Sequence, residues 1–176
     1  MNHPSKEHDK TDRVRMRPAA VEDLAAINAV VEAAVMSWDL PERVKRLSLP
    51  VYRYDRHDLD AMGFMVAEDV GGGVVGIAAW DPDDATGPVA GDKGLLLHGL
   101  YVDPRWHGKG VGSRLFASVE DKARGLGRDG LLVKAQAGAR EFFEHMGMRA
   151  LAAVDEERDY ANRYWLPLTS HGECRE

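Results

Sequence analysis

Hydrophobic and polar positions follow two different periods along this chain. Short stretches in which apolar residues alternate with polar ones, or fill nearly every position, predict strands, and apolar residues three and four apart predict helices. The predicted strands are residues 13–17, 63–69, 74–80, 95–102, 131–135, 149–154 and 160–166. The predicted helices are residues 22–38, 41–47, 111–126 and 139–146. This order predicts an α/β domain with a sheet of about six to seven strands flanked by helices.

Two stretches interrupt these periods. Residues 48–62 are rich in Tyr, Arg, His and Asp without clear periodicity, and we expect a loop over a binding cleft there. Residues 81–94 combine Pro, Gly and Asp, which is the composition of a second loop. Three consecutive glycines at 71–73 supply the positive φ angles of a tight turn. The strands on either side of them are therefore predicted to form an antiparallel hairpin.

The stretch 95–102 is apolar at nearly every position, which predicts a central strand covered on both faces. Gly99 in its middle indicates a β-bulge or a close backbone approach. His98 brings a titratable group into this run. The chain shows no internal repeat and no linker, so we expect one domain over residues 13–168.

The composition of the chain disfavours several classes of function. The chain has 176 residues, of which 44% are hydrophobic and 30% charged, which is ordinary for one soluble domain. The formal net charge of −6 argues against nucleic-acid binding through a general basic field. Residues 1–12 and 169–176 are polar, and we expect tails there and no membrane span. The single cysteine, Cys174, excludes an intrachain disulfide and a cysteine-built metal site, which fits a cytoplasmic location without a metal.

A glycine-rich loop joins the strand 95–102 to the helix that follows it, with glycines at positions 108, 110 and 112. Glycine has no Cβ, so the backbone can approach a ligand closely. The N–H groups at a helix start lack intrahelical partners and carry partial positive charge, which suits phosphate oxygens. Four basic side chains stand at the same place: Arg105, His107, Lys109 and Arg114. The loop is therefore predicted to bind a pyrophosphate.

Other interpretations of these glycines are disfavoured. An ordinary tight turn would not need the clustered basic residues or the second strand–helix unit downstream. A Walker loop requires Gly-x-x-x-x-Gly-Lys-Ser/Thr, which is absent from the sequence. A nicotinamide-dependent oxidoreductase requires Gly-x-Gly-x-x-Gly near the start of a long doubly wound sheet. Here the pattern is Gly-x-Gly-x-Gly, about two-thirds along a short chain.

Residues 97–115, LHGLYVDPRWHGKGVGSRL, resemble the acetyl-CoA-binding motif of the GCN5-related N-acetyltransferase (GNAT) superfamily, whose core pattern is Gln/Arg-x-x-Gly-x-Gly/Ala. Gly110 and Gly112 match this pattern, and His107 departs from it at the Gln/Arg position. Residues 136–148, QAGAREFFEHMGM, resemble the family's Asn-x-x-Ala-x-x-x-Tyr-Glu-x-x-Gly-Phe segment. The order of strands and helices also agrees, so the resemblance spans nearly the whole chain.

The resemblance implies a mixed, mostly antiparallel sheet that splays between its fourth and fifth strands. The pantetheine arm of acetyl-CoA would lie in the gap, and a backbone N–H near Leu100 or Tyr101 would polarise the thioester carbonyl. The pyrophosphate would bind the amides of residues 107–113. The implied coenzyme A-binding residues are Leu100, Tyr101, Val102, His107, Gly108, Lys109, Gly110, Val111, Gly112, Ser113, Gln136 and Phe143.

Direct transfer to a primary amine of a small molecule or peptide requires a base, because a lysine-like amine with a pKa of about 10.4 is mostly protonated at neutral pH. His98, beside the implied thioester site, is the first candidate, and a hydrogen-bonded core histidine is the alternative interpretation. Glu68, near the end of a hairpin strand, is the second candidate, with a solvated surface charge as its alternative. Tyr54, His57 and Asp58 are candidates for recognising the acceptor.

Two residues depart from the family pattern. Phe143 stands where many members carry a tyrosine that protonates the leaving thiolate, and Gln136 replaces the usual Asn. Water, Tyr101 or Tyr164 remain as proton sources. Because Phe143 has no proton to give, a coenzyme A-binding regulatory or interaction module with little activity is the alternative function. The aromatic residues of the terminal hairpin are expected either in the core or on a dimer surface, so a homodimer is one of the alternatives.

Overall fold

The computed structural model describes residues 14–152 and 162–168, except for the side chain of Asp84. Within them seven strands form one sheet in the order β1-β2-β3-β4-β5-β7-β6. The strands are β1 (Val14–Pro18), β2 (Gly63–Asp69), β3 (Val74–Thr86), β4 (Lys93–Val102), β5 (Gly130–Lys134), β6 (Arg149–Leu151) and β7 (Arg163–Pro167). The helices are α1 (Leu24–Met36), α2 (Glu42–Tyr52), α3 (Arg56–Ala61), α4 (Val111–Gly125) and α5 (Arg140–His145). Among the described strands only β4 and β5 pair in parallel, so the predicted mostly antiparallel α/β fold is confirmed.

Two hydrophobic cores lie on the sheet. In one, Leu115 and Val119 of α4 are buried together with Leu97 of β4. In the other, Ile27 and Val31 of α1 are buried with strand residues of β2 and β3. Apolar residues at helical spacing thus face the sheet, and burying each such side chain contributes roughly 1.5–3 kcal/mol.

The β3–β4 hairpin is longer than the sequence predicted. Residues 81–94 were expected to form a loop, but β3 continues to Thr86 and β4 already begins at Lys93. A register shift in β3 leaves Pro82 out of the pairing. Proline cannot donate to a ladder, and a bulge is one of the few places where a strand accommodates it. The polar composition of residues 81–94 therefore predicted a loop where the chain forms a bulged pair of strands.

The predicted loop at residues 48–62 is mostly helical. Helix α2 continues to Tyr52 although it contains Pro50, whose missing N–H falls in the last turn of the helix. Asp55 then caps α3, because its carboxylate accepts a hydrogen bond from the Asp58 N–H at 2.9 Å. The Asp58 carboxylate in turn accepts from the Asp55 N–H at 2.8 Å. This reciprocal capping is the start signal that the sequence interpretation missed.

The remaining elements lie within a few residues of their predicted bounds. Helix α4 is followed at residue 127 by a glycine with φ 64°, a conformation that commonly ends helices. The terminal hairpin is formed by β6 and β7, which pair antiparallel. The expected tails at 1–12 and 169–176, and residues 153–161 of this hairpin, lie outside the described residues. In the described parts of the chain, no helix combines the length and the apolar character needed to cross a membrane.

An ion-pair cluster joins the first two strands. The Arg17 guanidinium lies 2.6 Å from the Glu68 carboxylate and 2.7 Å from the Asp23 carboxylate. The Arg17 guanidinium holds the pKa of both carboxyl groups below its usual value. The unfolded chain therefore binds these protons more tightly than the folded protein. The resulting stabilisation is fully present above about pH 5 and is lost as the pH falls through the lowered pKa values.

We expect Arg17→Gln to lower the melting temperature by about 5 °C at pH 7. The difference from the wild type should shrink below about pH 4, because the two carboxylates then take up protons. Circular dichroism during heating at several pH values measures both effects. Arg15→Gln is the matched control, since Arg15 also contacts Glu68 at 2.8 Å but is 71% exposed. Equal losses for the two variants would contradict the role given to Arg17.

Candidate functional site

The strands β4 and β5 diverge halfway along β4. Parallel pairing joins Gly94–Leu97 to Gly130–Val133 and ends there, although β4 continues to Val102. On its other edge β4 stays paired with β3 as far as Val102 opposite Gly76. The predicted splay between the fourth and fifth strands is therefore confirmed. It opens a gap along the last residues of β4.

A β-bulge places His98 where the gap begins. Leu97 lies opposite Trp80 and Gly99 lies opposite Ala79, so His98 is the extra residue of β4. The bulge indicated by Gly99 is confirmed. His98 is exposed, although the residues on either side of it are buried. The prediction of a strand covered on both faces is wrong at His98, and a buried core histidine is excluded, because a bulged residue departs from the alternation of the pleat.

Tyr54 contacts His98 from the segment between α2 and α3. Its hydroxyl oxygen lies 3.2 Å from Nδ1 of His98, and the two ring centroids are 5.7 Å apart. Tyr54 is only 5% exposed, and burial raises the pKa of its phenol, so the hydroxyl keeps its proton at neutral pH. A Cβ at Gly99 would lie 2.3 Å from this hydroxyl oxygen. Glycine at 99 thus provides the space in which the hydroxyl meets the histidine.

The loop after β4 enters α4 through glycines in the left-handed region. Gly108 has φ 69° and Gly110 has φ 75°, angles that disfavour any residue with a Cβ. The Arg114 N–H donates to the Gly110 carbonyl at 3.1 Å. The N–H groups of the three residues before Arg114 therefore have no acceptor within the helix. A Cβ at Gly108 would meet no atom within 4 Å, so the loop faces open space.

Contacts with neighbouring groups hold the side chains of Arg105, Lys109 and His107 near this loop. Arg105 forms an ion pair with the buried Asp103 carboxylate at 2.6 Å. Lys109 donates from Nζ to the Arg105 carbonyl at 2.7 Å. His107 has Nε2 3.1 Å from the Val102 carbonyl oxygen, so Nε2–H is the donor there. These contacts shape the loop, and the helix-start amides are candidate anion-binding groups.

The segment after β5 supplies the other sequence-predicted residues. Gln136 accepts a hydrogen bond on Oε1 from the backbone N–H two residues later, at 3.4 Å. Phe143 is buried and stacks on Tyr164 with the ring centroids 6.0 Å apart. A Cβ at Gly112 would lie 3.2 Å from the ring of Phe142. Phe142 thus lies against the start of α4, a contact that the sequence analysis did not predict.

Glu68 lies away from this gap. It pairs with Val74 of β3, whereas the bulge at His98 lies beside Ala79, five residues further along the same strand. Five residues of strand are roughly 17 Å. Hydrogen bonds from Arg17 and then from Arg15 lower the pKa of the Glu68 carboxyl group. A carboxylate with a lowered pKa is a weaker base, so the geometry gives Glu68 a structural role.

Comparisons with known proteins agree with this geometry. A search of curated proteins gave no match. Similar solved structures include the PaiA N-acetyltransferase of Thermoplasma acidophilum in complex with coenzyme A, with a TM-score of 0.70, 14% identity, and 88% of this chain and 99% of that chain covered. A GNAT family acetyltransferase of Brucella melitensis in complex with acetyl-CoA gives a TM-score of 0.59, 22% identity, and 89% and 88% coverage. A GCN5-related N-acetyltransferase of Rhodopseudomonas palustris gives 0.67, 24% identity, and 89% and 96% coverage.

At these identities the solved structures establish likeness of fold alone. The family assignment comes from the sequence itself, since the model of the acetyltransferase (GNAT) family matches residues 30–148. The matched range includes the splayed strands, the bulge at His98, the glycine loop and the segment after β5. The match covers more than half of the chain, and the protein therefore belongs to the GNAT acetyltransferase family.

Proposed function

We propose that this protein transfers the acetyl group of acetyl-CoA to a primary amine of a small molecule or peptide. The observation that carries the proposal is the splay of β4 from β5 beyond Leu97. It leaves one edge of β4 open between His98 and the glycine loop, and His98 precedes Val102 by four residues, or about 13 Å of strand. A thioester laid along this edge would have its phosphates at the loop and its acetyl group near a histidine.

The residues present fit acetyl-CoA. The helix-start amides of α4 and the open space at Gly108 suit a pyrophosphate, because they combine unpaired N–H donors with room for close approach. We assign the pyrophosphate to residues 107–113 and the pantetheine arm to the β4 backbone at Leu100–Val102. Gln136 and Phe143 would form the side of the site that follows β5. An N–H of Leu100 or Tyr101 would stabilise the developing oxyanion of the thioester carbonyl.

His98 acts as the base in this proposal. It removes a proton from the acceptor ammonium, and the neutral amine nitrogen then forms a bond to the thioester carbonyl carbon and gives up its second proton to solvent as the amide forms. The carbon–sulfur bond breaks, and its electron pair leaves with the sulfur as thiolate. His98 is exposed at the gap, so an acceptor can reach it. Glu68 has no part in this step, because two arginines hold it elsewhere on the sheet.

The leaving thiolate takes its proton from water. Phe143 has no hydroxyl, and its ring is 4% exposed. Tyr164 stacks on Phe143, but its ring is buried in the same core, which favours a packing role. Slow protonation of this thiolate by water would favour the alternative function, a coenzyme A-binding module with little turnover.

The acceptor would approach from the side of His98 that Tyr54 leaves open. Of the three residues predicted to recognise it, Tyr54 directs its hydroxyl at His98, and the Asp58 carboxylate accepts a hydrogen bond from the Asp55 N–H at the start of α3. His57 is exposed on α3 and stays a candidate for contact with the acceptor. An amine is favoured over an alcohol because a histidine can neutralise an ammonium group, whereas a hydroxyl is far less acidic.

Calorimetric titration with acetyl-CoA, with NADH as control, tests the binding half of this proposal. We expect saturable binding of acetyl-CoA alone, because the loop lacks the spacing of a dinucleotide site. Release of free thiol with a panel of amines (a polyamine, an arylamine, an aminoglycoside and a lysine peptide) then tests transfer. Binding without turnover across the panel would favour the module, and absence of acetyl-CoA binding would overturn the proposed function.

A further inference from the structure

Tyr54 is fixed in place from three elements of the fold. On α1, Asn28 donates from Nδ2 to the Tyr54 carbonyl at 2.8 Å and accepts from the Tyr54 N–H at 2.9 Å. On β2, Phe64 packs edge-on against the Tyr54 ring, with the centroids 4.9 Å apart. On β4, Gly99 leaves room for the hydroxyl. A side chain held this firmly can orient whatever its hydroxyl contacts.

What the hydroxyl contacts is Nδ1 of His98, at 3.2 Å. Burial raises the pKa of the Tyr54 phenol, and the nearby Tyr101 and Asp58 raise it further, so the group stays neutral. A neutral imidazole carries one proton, on either Nδ1 or Nε2. Only a ring with the proton on Nδ1 presents a free lone pair on Nε2 for an incoming proton. The Tyr54 hydroxyl can donate to a bare Nδ1 or accept from Nδ1–H, and only the second arrangement leaves Nε2 free to act as a base.

We propose that Tyr54 is the positioning residue of His98: its oxygen accepts a hydrogen bond from Nδ1–H and so leaves the lone pair of Nε2 directed at the acceptor. This inference rests on the proposed function. The same contact persists after Nε2 takes up the proton of the amine, because Nδ1–H is present in the imidazolium as well. The bulge and Gly99 are part of this arrangement, because they bring the His98 ring to the Tyr54 hydroxyl.

Two-bond ¹H–¹⁵N NMR of the histidine rings tests this directly and needs no acceptor. The chain has seven histidines, and the signal missing from His98→Ala identifies His98. We expect the Nδ1–H form in the wild type at alkaline pH and a shift toward Nε2–H in Tyr54→Phe. Tyr52→Phe, the same change two residues away on a ring that packs against Trp38, is the matched control and should leave the spectrum unchanged.

Gly99→Ala gives a second variant, since it displaces the hydroxyl without deleting it, and it should shift the His98 signal in the same direction. In turnover assays with an amine from the panel, Tyr54→Phe should lower kcat about tenfold with an unchanged KM for acetyl-CoA. That loss should vanish in the His98→Ala background if Tyr54 acts through His98. If His98 of the wild type carries its proton on Nε2, or if Tyr54→Phe leaves the His98 spectrum unchanged, the inference is overturned. The expected spectra without turnover of any amine would instead uphold it and refute acetyl transfer.

Discussion

Gly110→Glu should lower the affinity for acetyl-CoA by about 100-fold or more. Gly110 is the residue before α4, with φ 75°, and it adjoins the amides assigned to the pyrophosphate. Two unit charges of the same sign 4 Å apart repel each other by about 4 kcal/mol at an effective dielectric constant of 20, and a tenfold change in affinity is about 1.4 kcal/mol. Screening by salt reduces the repulsion, yet a 100-fold loss needs only about 2.7 kcal/mol. Calorimetric titration measures the change.

Two controls separate charge from backbone strain. Gly110→Gln has the same size and the same strain as Gly110→Glu but no charge, so it should retain more of the affinity. Gly91→Glu places the same side chain at another glycine of positive φ, 95°, in the turn between β3 and β4. That turn precedes β4, whereas the glycine loop follows β4, so the affinity of Gly91→Glu for acetyl-CoA should be unchanged. Full acetyl-CoA affinity in Gly110→Glu would refute the assignment of the loop.

The local parts of the fold and site were predictable because their causes are local. The glycines of the loop, the apolar run of β4 and the bulge at Gly99 each follow from residues that are neighbours in sequence. The splay between the fourth and fifth strands came from the family resemblance, since no pattern within these two segments indicates that they separate beyond Leu97. Sequence patterns thus located the candidate base and the glycine loop to which we assign the pyrophosphate.

The errors have a common physical origin. The predicted strand ended at residue 80 and the predicted helix at residue 47, whereas both elements continue past a proline, at Pro82 and at Pro50, in positions that tolerate it. In β3 the register shift excludes Pro82 from the ladder, and in α2 the bond lost at Pro50 belongs to the last turn. Tertiary packing therefore outweighed local propensity at both sites.

The pair of Tyr54 and His98 could not be found from sequence at all. The two residues are 44 positions apart, and neither belongs to a motif that names the other. The contact depends on Asn28 of α1 holding the Tyr54 backbone and on the glycine at 99 in β4, which are features of two different elements. Sequence analysis assigned Tyr54 to acceptor recognition, whereas the structure places its hydroxyl on the candidate base. Long-range geometry of this kind becomes visible only once the chain is folded.

His98→Ala should lower turnover by about 100-fold or more while leaving the affinity for acetyl-CoA within about twofold of the wild type, since base catalysis contributes typically 10²–10⁴. His98 lies at the start of the gap and away from the phosphate loop, so cofactor binding does not depend on it. The rate of the variant should also rise steadily with pH, because an alkyl amine with a pKa near 10.4 must then lose its proton unaided. The wild type should instead reach its plateau at lower pH. Steady-state rates across pH, at saturating acetyl-CoA, measure both effects.

His98→Gln and His145→Ala complete the test. Glutamine keeps a polar side chain at the bulge but does not titrate, so His98→Gln should show the same pH profile as His98→Ala. His145 is exposed at the end of α5, and its removal should leave the rate unchanged. Wild-type rates in both His98 variants at every pH would remove His98 from the reaction. The amine would then have to reach the thioester already deprotonated by solvent, and the contact of Tyr54 with His98 would have only a packing role.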